Sequence, residues 1–166
     1  MAGLLKFGQL SAKDVSLYTQ WGKGPKIVPT NLEPWGDNGR FLPGSDKLLI
    51  DEGILDQLEK ALKQNSKEAL LLVISTILHE FTHFGDDQDN EDYPGEEGKL
   101  FEQFVYGTDI ANLSDARKVI AKFTEQQKEN DDKKKNGLKT LVSNFGNLQE
   151  GTYVWNGSEW AKEEKK

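Results

Sequence analysis

Residues 66–86 read SKEALLLVISTILHEFTHFGD, and this stretch decides the fold. Ser66 is placed to N-cap a helix, and Glu68 suits its first turn, where negative charge meets the positive end of the aligned peptide dipoles. Leu70, Leu71, Leu72, Val73, Ile74, Ile77, Leu78, Phe81 and Phe84 then cover nearly the whole circumference, a pattern that belongs at the centre of a domain. Gly85 is the expected end of the helix. Inside it lies His79-Glu80-Phe81-Thr82-His83. Two imidazoles four residues apart project from one face and can bind a single Zn2+, and Glu80 beside them is placed to take a proton from metal-bound water. The metal would lower the pKa of that water from about 16 to about 7 and polarise a scissile carbonyl. The chain has two histidines in all. Unpaired imidazoles buried on an apolar helix would be costly, so a metal explains the pattern better than chance does.

Upstream, Asp51 can cap a helix over 51–64, where Ile54, Leu55, Leu58, Ala61 and Leu62 recur at helical spacing. Residues 47–50 read as a strand. Residues 1–46 are rich in Gly, Pro and Trp and predict a loop-rich lobe with short strands at 26–28 and 40–42. Downstream, a polar loop over 86–95 closes at Pro94-Gly95 before a helix over 96–106. A further helix over 114–146 is expected to break around 130–136, where charge is dense and apolar residues vanish. Asn156-Gly157, set between 153–155 and 158–160, predicts a terminal hairpin.

With 166 residues the chain reads as one α+β domain over 1–166. Its upper lobe is 1–84, and its lower lobe with the hairpin is 85–166. The balance of 21 basic against 28 acidic residues, net −7, argues against nucleic acid as partner. The absence of cysteine removes thiolate ligands, disulfides and cysteine nucleophiles. The longest apolar run, 69–74, is too short to span a bilayer, and the first ten residues lack a signal-peptide core. A monomer without membrane contact, acting on a protein or peptide, is expected.

With no third histidine, the third protein ligand must be a carboxylate, or else a tyrosine or water. A metzincin pattern would place it at Asp89 with a glycine at 86, yet the glycine is Gly85 and no methionine beyond Met1 exists for a Met-turn. Glu102 is the better candidate. It lies nineteen residues after His83, a separation that resembles the thermolysin-like gluzincins, and it adjoins Phe101 and Val105 at the edge of an apolar stripe. Asp89, Asp86, Glu97 and Asp109 are the alternatives. Where such gluzincins carry an acidic residue four after the ligand glutamate, this chain has Tyr106, which leaves Asp109, Asp86 or a backbone group to orient the histidines. Tyr106 is a candidate oxyanion stabiliser, with Tyr93, Tyr153, Arg40 and Arg117 as rivals. The run 86–92 crowds hard oxygen ligands and offers a Ca2+ reading, although it lacks the EF-hand order and reads more simply as a solvated loop.

Leu78-His79-Glu80-Phe81-Thr82-His83-Phe84-Gly85-Asp86, followed by Gly95-Glu96-Glu97-Gly98-Lys99-Leu100-Phe101-Glu102 and Val105-Tyr106-Gly107, resembles the metallopeptidase toxin domains at the C-termini of bacterial polymorphic toxins. The resemblance implies a secreted or delivered effector that cleaves proteins, an immunity or inhibitor partner, His79, His83 and Glu102 as zinc ligands, and Glu80 as general base. It also implies a zincin-like architecture: a small twisted sheet with backing helix 51–64 and active-site helix 67–84 above a cleft, a helical lobe below, and an edge near 39–42 for extended substrate. The competing reading is a catalytically inactive zincin-like or calcium-binding interaction module. Glu80 speaks against it, because a binding relic needs no base beside its ligands.

Overall fold

The computed structural model describes residues 2–63, 66–88, 93–145, 153–155 and 160–162. It is α+β, and the chain divides into two compact units, Met1–Phe123 and Thr124–Lys166. In the first, α1 (Ala2–Phe7) and α2 (Ala12–Tyr18) precede β1 (Lys26–Thr30), a 3-10 turn (Glu33–Trp35), β2 (Gly39–Phe41) and β3 (Lys47–Asp51). Then come α3 (Glu52–Leu62), α4 (Lys67–Asp86), α5 (Glu97–Tyr106) and the start of α6 (Leu113–Phe145). The second unit holds the rest of α6 and an antiparallel pair, β4 (Tyr153–Trp155) and β5 (Trp160–Lys162). The two described strands pair as the predicted hairpin requires, and the Asn156-Gly157 turn with 158–159 lies outside the described residues.

The sheet order is β1-β3-β2, with β1 parallel and β2 antiparallel to β3. Leu48 and Ile50 alternate inward along β3 and are almost wholly buried. They meet Ile54 of α3, Leu72, Val73, Phe81 and Phe84 of α4, Phe101 of α5, and Ala116 and Val119 of α6 in one core. Each large apolar side chain contributes roughly 1.5–3 kcal/mol by leaving water. As its all-round apolar pattern required, α4 is central: it packs on α1, α3, α5, β2 and β3. Its buried hydroxyls are satisfied locally, Ser75 and Thr76 donating to the Leu72 carbonyl and Thr82 to that of Leu78.

Three expectations need correction. The loop-rich N-terminal lobe contains two helices. The capping box at Ser11 and Asp14 was the readable signal for α2, but its few apolar residues gave a weak periodic pattern. Gly85 does not end α4, which continues to Asp86. A Cβ at Gly85 would strike the Gly8 carbonyl oxygen and approach Leu10 Cγ to 2.8 Å, so the glycine admits the 8–10 segment instead of capping the helix. Ser66 is the N-cap of α4 as expected, with its hydroxyl bonded to Glu68 instead of the helix backbone. Finally, α6 is continuous through 130–136. Its Glu, Gln and Lys residues are strong helix formers, and an exposed helix does not need the apolar face whose loss suggested a break.

Candidate metal centre

The histidines are positioned by α4, and the carboxylates facing them come from the start and middle of α5. Glu96 is the N-cap of α5, where one carboxylate oxygen accepts from the Lys99 backbone amide. Its other oxygen, Oε1, lies 3.1 Å from His79 Nε2 and 3.0 Å from His83 Nε2. His79, His83 and Glu96 thus bring three potential ligand atoms within 4.8 Å of one another. Donors sharing one ion through bonds of about 2.0–2.2 Å must lie within about 4.4 Å of each other, and both nitrogen–oxygen separations satisfy that limit.

The remaining imidazole nitrogens are also engaged. His79 Nδ1 is 3.1 Å from Glu102 Oε1, and His83 Nδ1 is 2.8 Å from Glu97 Oε2. Glu97 and Glu102 are buried, and the second oxygen of Glu102 accepts from the Ile110 amide at 2.6 Å. Each ring therefore turns Nδ1 to a carboxylate behind it and Nε2 to a common point, an arrangement that fixes ring orientation and raises ligand basicity. Burial alone would lower the His79 pKa, but the bonds to Glu102 and Glu96 outweigh it and raise the value to about 10. His83 moves upward for the same reasons, burial opposing and Glu96 winning. Burial pushes Glu96 up, yet the two imidazoles bring it to well below the usual carboxylate range.

Glu80 lies between the two histidines in sequence and lines the same cleft, a cavity of about 760 Å3. Its Oε2 accepts from the Phe41 amide of β2 at 2.6 Å. Burial raises the Glu80 pKa, opposed by the adjacent imidazoles and that amide. A Cβ at Gly39 would come within 2.6 Å of Thr76 Cγ2 and 2.8 Å of Glu80 Cγ, so a glycine there lets the strand lie close against the base.

Glu102 is thus brought to the site, but behind His79; the common point faces Glu96, which the spacing argument passed over. Of the other carboxylates considered, Asp86 lines the cleft and accepts from Gln9 Nε2 and the Tyr93 amide, whereas Asp89 lies outside the described residues, as does most of the acidic run. Tyr106 is not among the cleft-lining residues: it is buried against Phe101 in the core. Tyr93 packs edge-on to Phe7, and Arg117 pairs with Glu68 on the surface. Arg40 does line the cleft, paired with Asp37 and set over the Trp35 ring.

The family model described as metallopeptidase toxin 3 matches residues 1–107, well over half the chain. The chain belongs to the metallopeptidase toxin 3 family. No curated protein and no solved structure matches it. The span matched to metallopeptidase toxin 3 contains α1 through α5 and hence His79, Glu80, His83, Glu96, Glu97 and Glu102.

Within this family member, Gly98 has a role the sequence leaves implicit. A methyl at Gly98 would fall onto His79 Nε2 and Cδ2. Gly98→Ala is expected to lower metal affinity at least about tenfold by turning the ring, although alanine favours the helix by about 1 kcal/mol. Metal titration beside thermal melting checks this: weakened binding with an unchanged or raised melting temperature is the expected pair.

Proposed function

We propose that the chain is a zinc-dependent endopeptidase of zincin-like build, with His79, His83 and Glu96 as metal ligands and Glu80 as general base. The observation that carries the reading is the convergence of both Nε2 atoms on Glu96 Oε1, while each Nδ1 is backed by its own carboxylate. Two imidazoles and one carboxylate form a donor set suited to catalytic zinc, which keeps a position open. Glu102 and Glu97 orient the ligands. In this reading α4 is the active-site helix, α3 the backing helix and β2 the rim along which extended substrate lies, since β2 is an edge strand of its sheet and its residues line the cleft. Delivery as a secreted effector, and an immunity protein as partner, follow from the family and belong to the same proposal.

Zinc held there would polarise the substrate carbonyl and make water a competent nucleophile near neutral pH. Glu80 accepts a proton from the attacking water as the new C–O bond forms. It then delivers that proton to the amine nitrogen as the C–N bond breaks, and returns to the carboxylate. Arg40 and Lys99 are the cations among the described residues that line the cleft, and Arg40, on the rim strand, is our candidate for steadying negative charge on the carbonyl oxygen.

Zinc must displace protons that the metal-free site holds, because His79 titrates near 10. Calorimetric titration at pH 7 in two buffers of different ionisation enthalpy should give one zinc per chain with proton release, and an apparent affinity that rises with pH. Binding without proton release would contradict the assignment. In the metal-free chain the raised His79 pKa stabilises the fold fully below about 6.5, and this contribution is lost as pH rises through about 10. The melting temperature of chelator-treated protein should fall over that window.

A further inference from the structure

The proposed metal site depends on where α5 begins, because Glu96 and Glu97 stand at that end of the helix. The other end is anchored by Glu102, whose second oxygen accepts from the Ile110 amide. The beginning has an anchor of its own. Oδ1 of Asp86 accepts from the Tyr93 amide at 3.1 Å and from Gln9 Nε2 at 3.0 Å. One carboxylate oxygen in the last turn of α4 thus joins three segments: the active-site helix, the 8–10 segment that lies against it, and the entry to α5.

Asp86 stands three residues after His83, about one turn along α4, and lines the same cleft, but it is not one of the three converging ligand residues. Tyr93 precedes Glu96 by three residues, and its ring is held edge-on to Phe7 of α1. Between them Gly95 has a φ of 110°, which glycine adopts without strain, and the chain turns there into the N-cap. With the Tyr93 amide tied to α4, little chain separates that tie from the Glu96 side chain. Gln9 is a second sign that the junction is enforced. Among the described residues it is the one non-glycine with a positive φ, 48°, a costly conformation that persists where the surroundings over-determine it. Those surroundings are the close approach of the Gly8 carbonyl to Gly85 and the side-chain bond to Asp86.

We propose that Asp86 is a positioning residue for the metal centre: by holding the Tyr93 amide it fixes the start of α5 and so sets Glu96 Oε1 at the point shared by the two Nε2 atoms. Gln9 braces the same oxygen from the other side. The inference rests on the metal assignment proposed above and adds to it a residue that acts through Glu96. The role needs an oxygen that accepts hydrogen bonds and does not need a negative charge.

The test is a double-mutant cycle in the full-length chain, read by zinc affinity from chelator competition and by the visible spectrum of the Co2+-loaded protein. Asp86→Ala is expected to weaken zinc binding about tenfold or more and to move the Co2+ spectrum toward that of Glu96→Ala. In the Glu96→Ala background the same substitution should cost no more than about threefold, because the carboxylate it places is gone. Asp86→Asn keeps an oxygen acceptor and should restore most of the affinity. Replacing Tyr93 by its α-hydroxy acid analogue exchanges the amide N–H for an ester oxygen and deletes the same bond. It should reproduce the Asp86→Ala result, and it carries the cycle if Asp86→Ala does not fold. Native affinity in the variants that lack this bond, or an equal loss with and without Glu96, overturns the inference and leaves the metal assignment standing. Failure of the native chain to bind zinc overturns both.

Discussion

Replacing Glu80 by Gln is expected to lower peptide turnover by about 10²–10⁴-fold while leaving the metal in place. The amide retains an oxygen that can accept from the Phe41 amide, so the position between the histidines on α4 is conserved. What it loses is the capacity to take a proton. Removing a buried charge also spares the desolvation that raises the Glu80 pKa, so the variant should melt no lower than the native chain. Steady-state hydrolysis and metal content measured on the same preparations separate the outcomes. Retained turnover at full metal occupancy would remove Glu80 from the mechanism.

The second large effect distinguishes the carboxylates of α5. Glu96→Ala removes one of three converging donors and should weaken zinc binding by more than about 100-fold, beyond the range for residues that only orient a ligand. Glu102→Ala should cost about 10–100-fold, because His79 keeps its Nε2 but loses the partner that holds the ring. It also leaves the Ile110 amide without its acceptor, which destabilises the fold by about 1–3 kcal/mol. Glu102→Gln keeps an acceptor for that amide and should recover most of the stability but not all of the affinity. Competition against a chelator of known affinity ranks the three variants, and a larger loss for Glu102→Ala than for Glu96→Ala would return Glu102 to the ligand shell.

The parts of the fold readable in the sequence were those with strong periodicity. Helix α4 with its two histidines and glutamate, the capped helix after Asp51, and the short strands each carried a local pattern that the tertiary structure respects. Gly85 shows where such reading stops: a glycine near a helix end looks like a cap, and only the approach of the 8–10 segment reveals another purpose. The same holds for Glu96, Glu97 and Glu102. They lie within two turns of one helix, and Glu102 was attractive for its nineteen-residue separation from His83 and its place at the edge of an apolar stripe. Its burial follows instead from its bonds to His79 and the Ile110 amide. The signal for Glu96 was available in the Pro94-Gly95 turn before it and in Gly98 two residues on. An N-cap carboxylate at a glycine-opened helix start can face inward across a close contact, and here it meets both imidazoles.

The most direct test of the metal-dependent peptidase reading is hydrolysis of a broad peptide mixture, followed by mass spectrometry, with the chain stripped of metal and then titrated with zinc. The account predicts no internal cleavage by the stripped chain and restoration that saturates at one zinc per chain. Cleavage that persists after complete metal removal, or a chain that takes up one zinc and still cuts nothing, would contradict it.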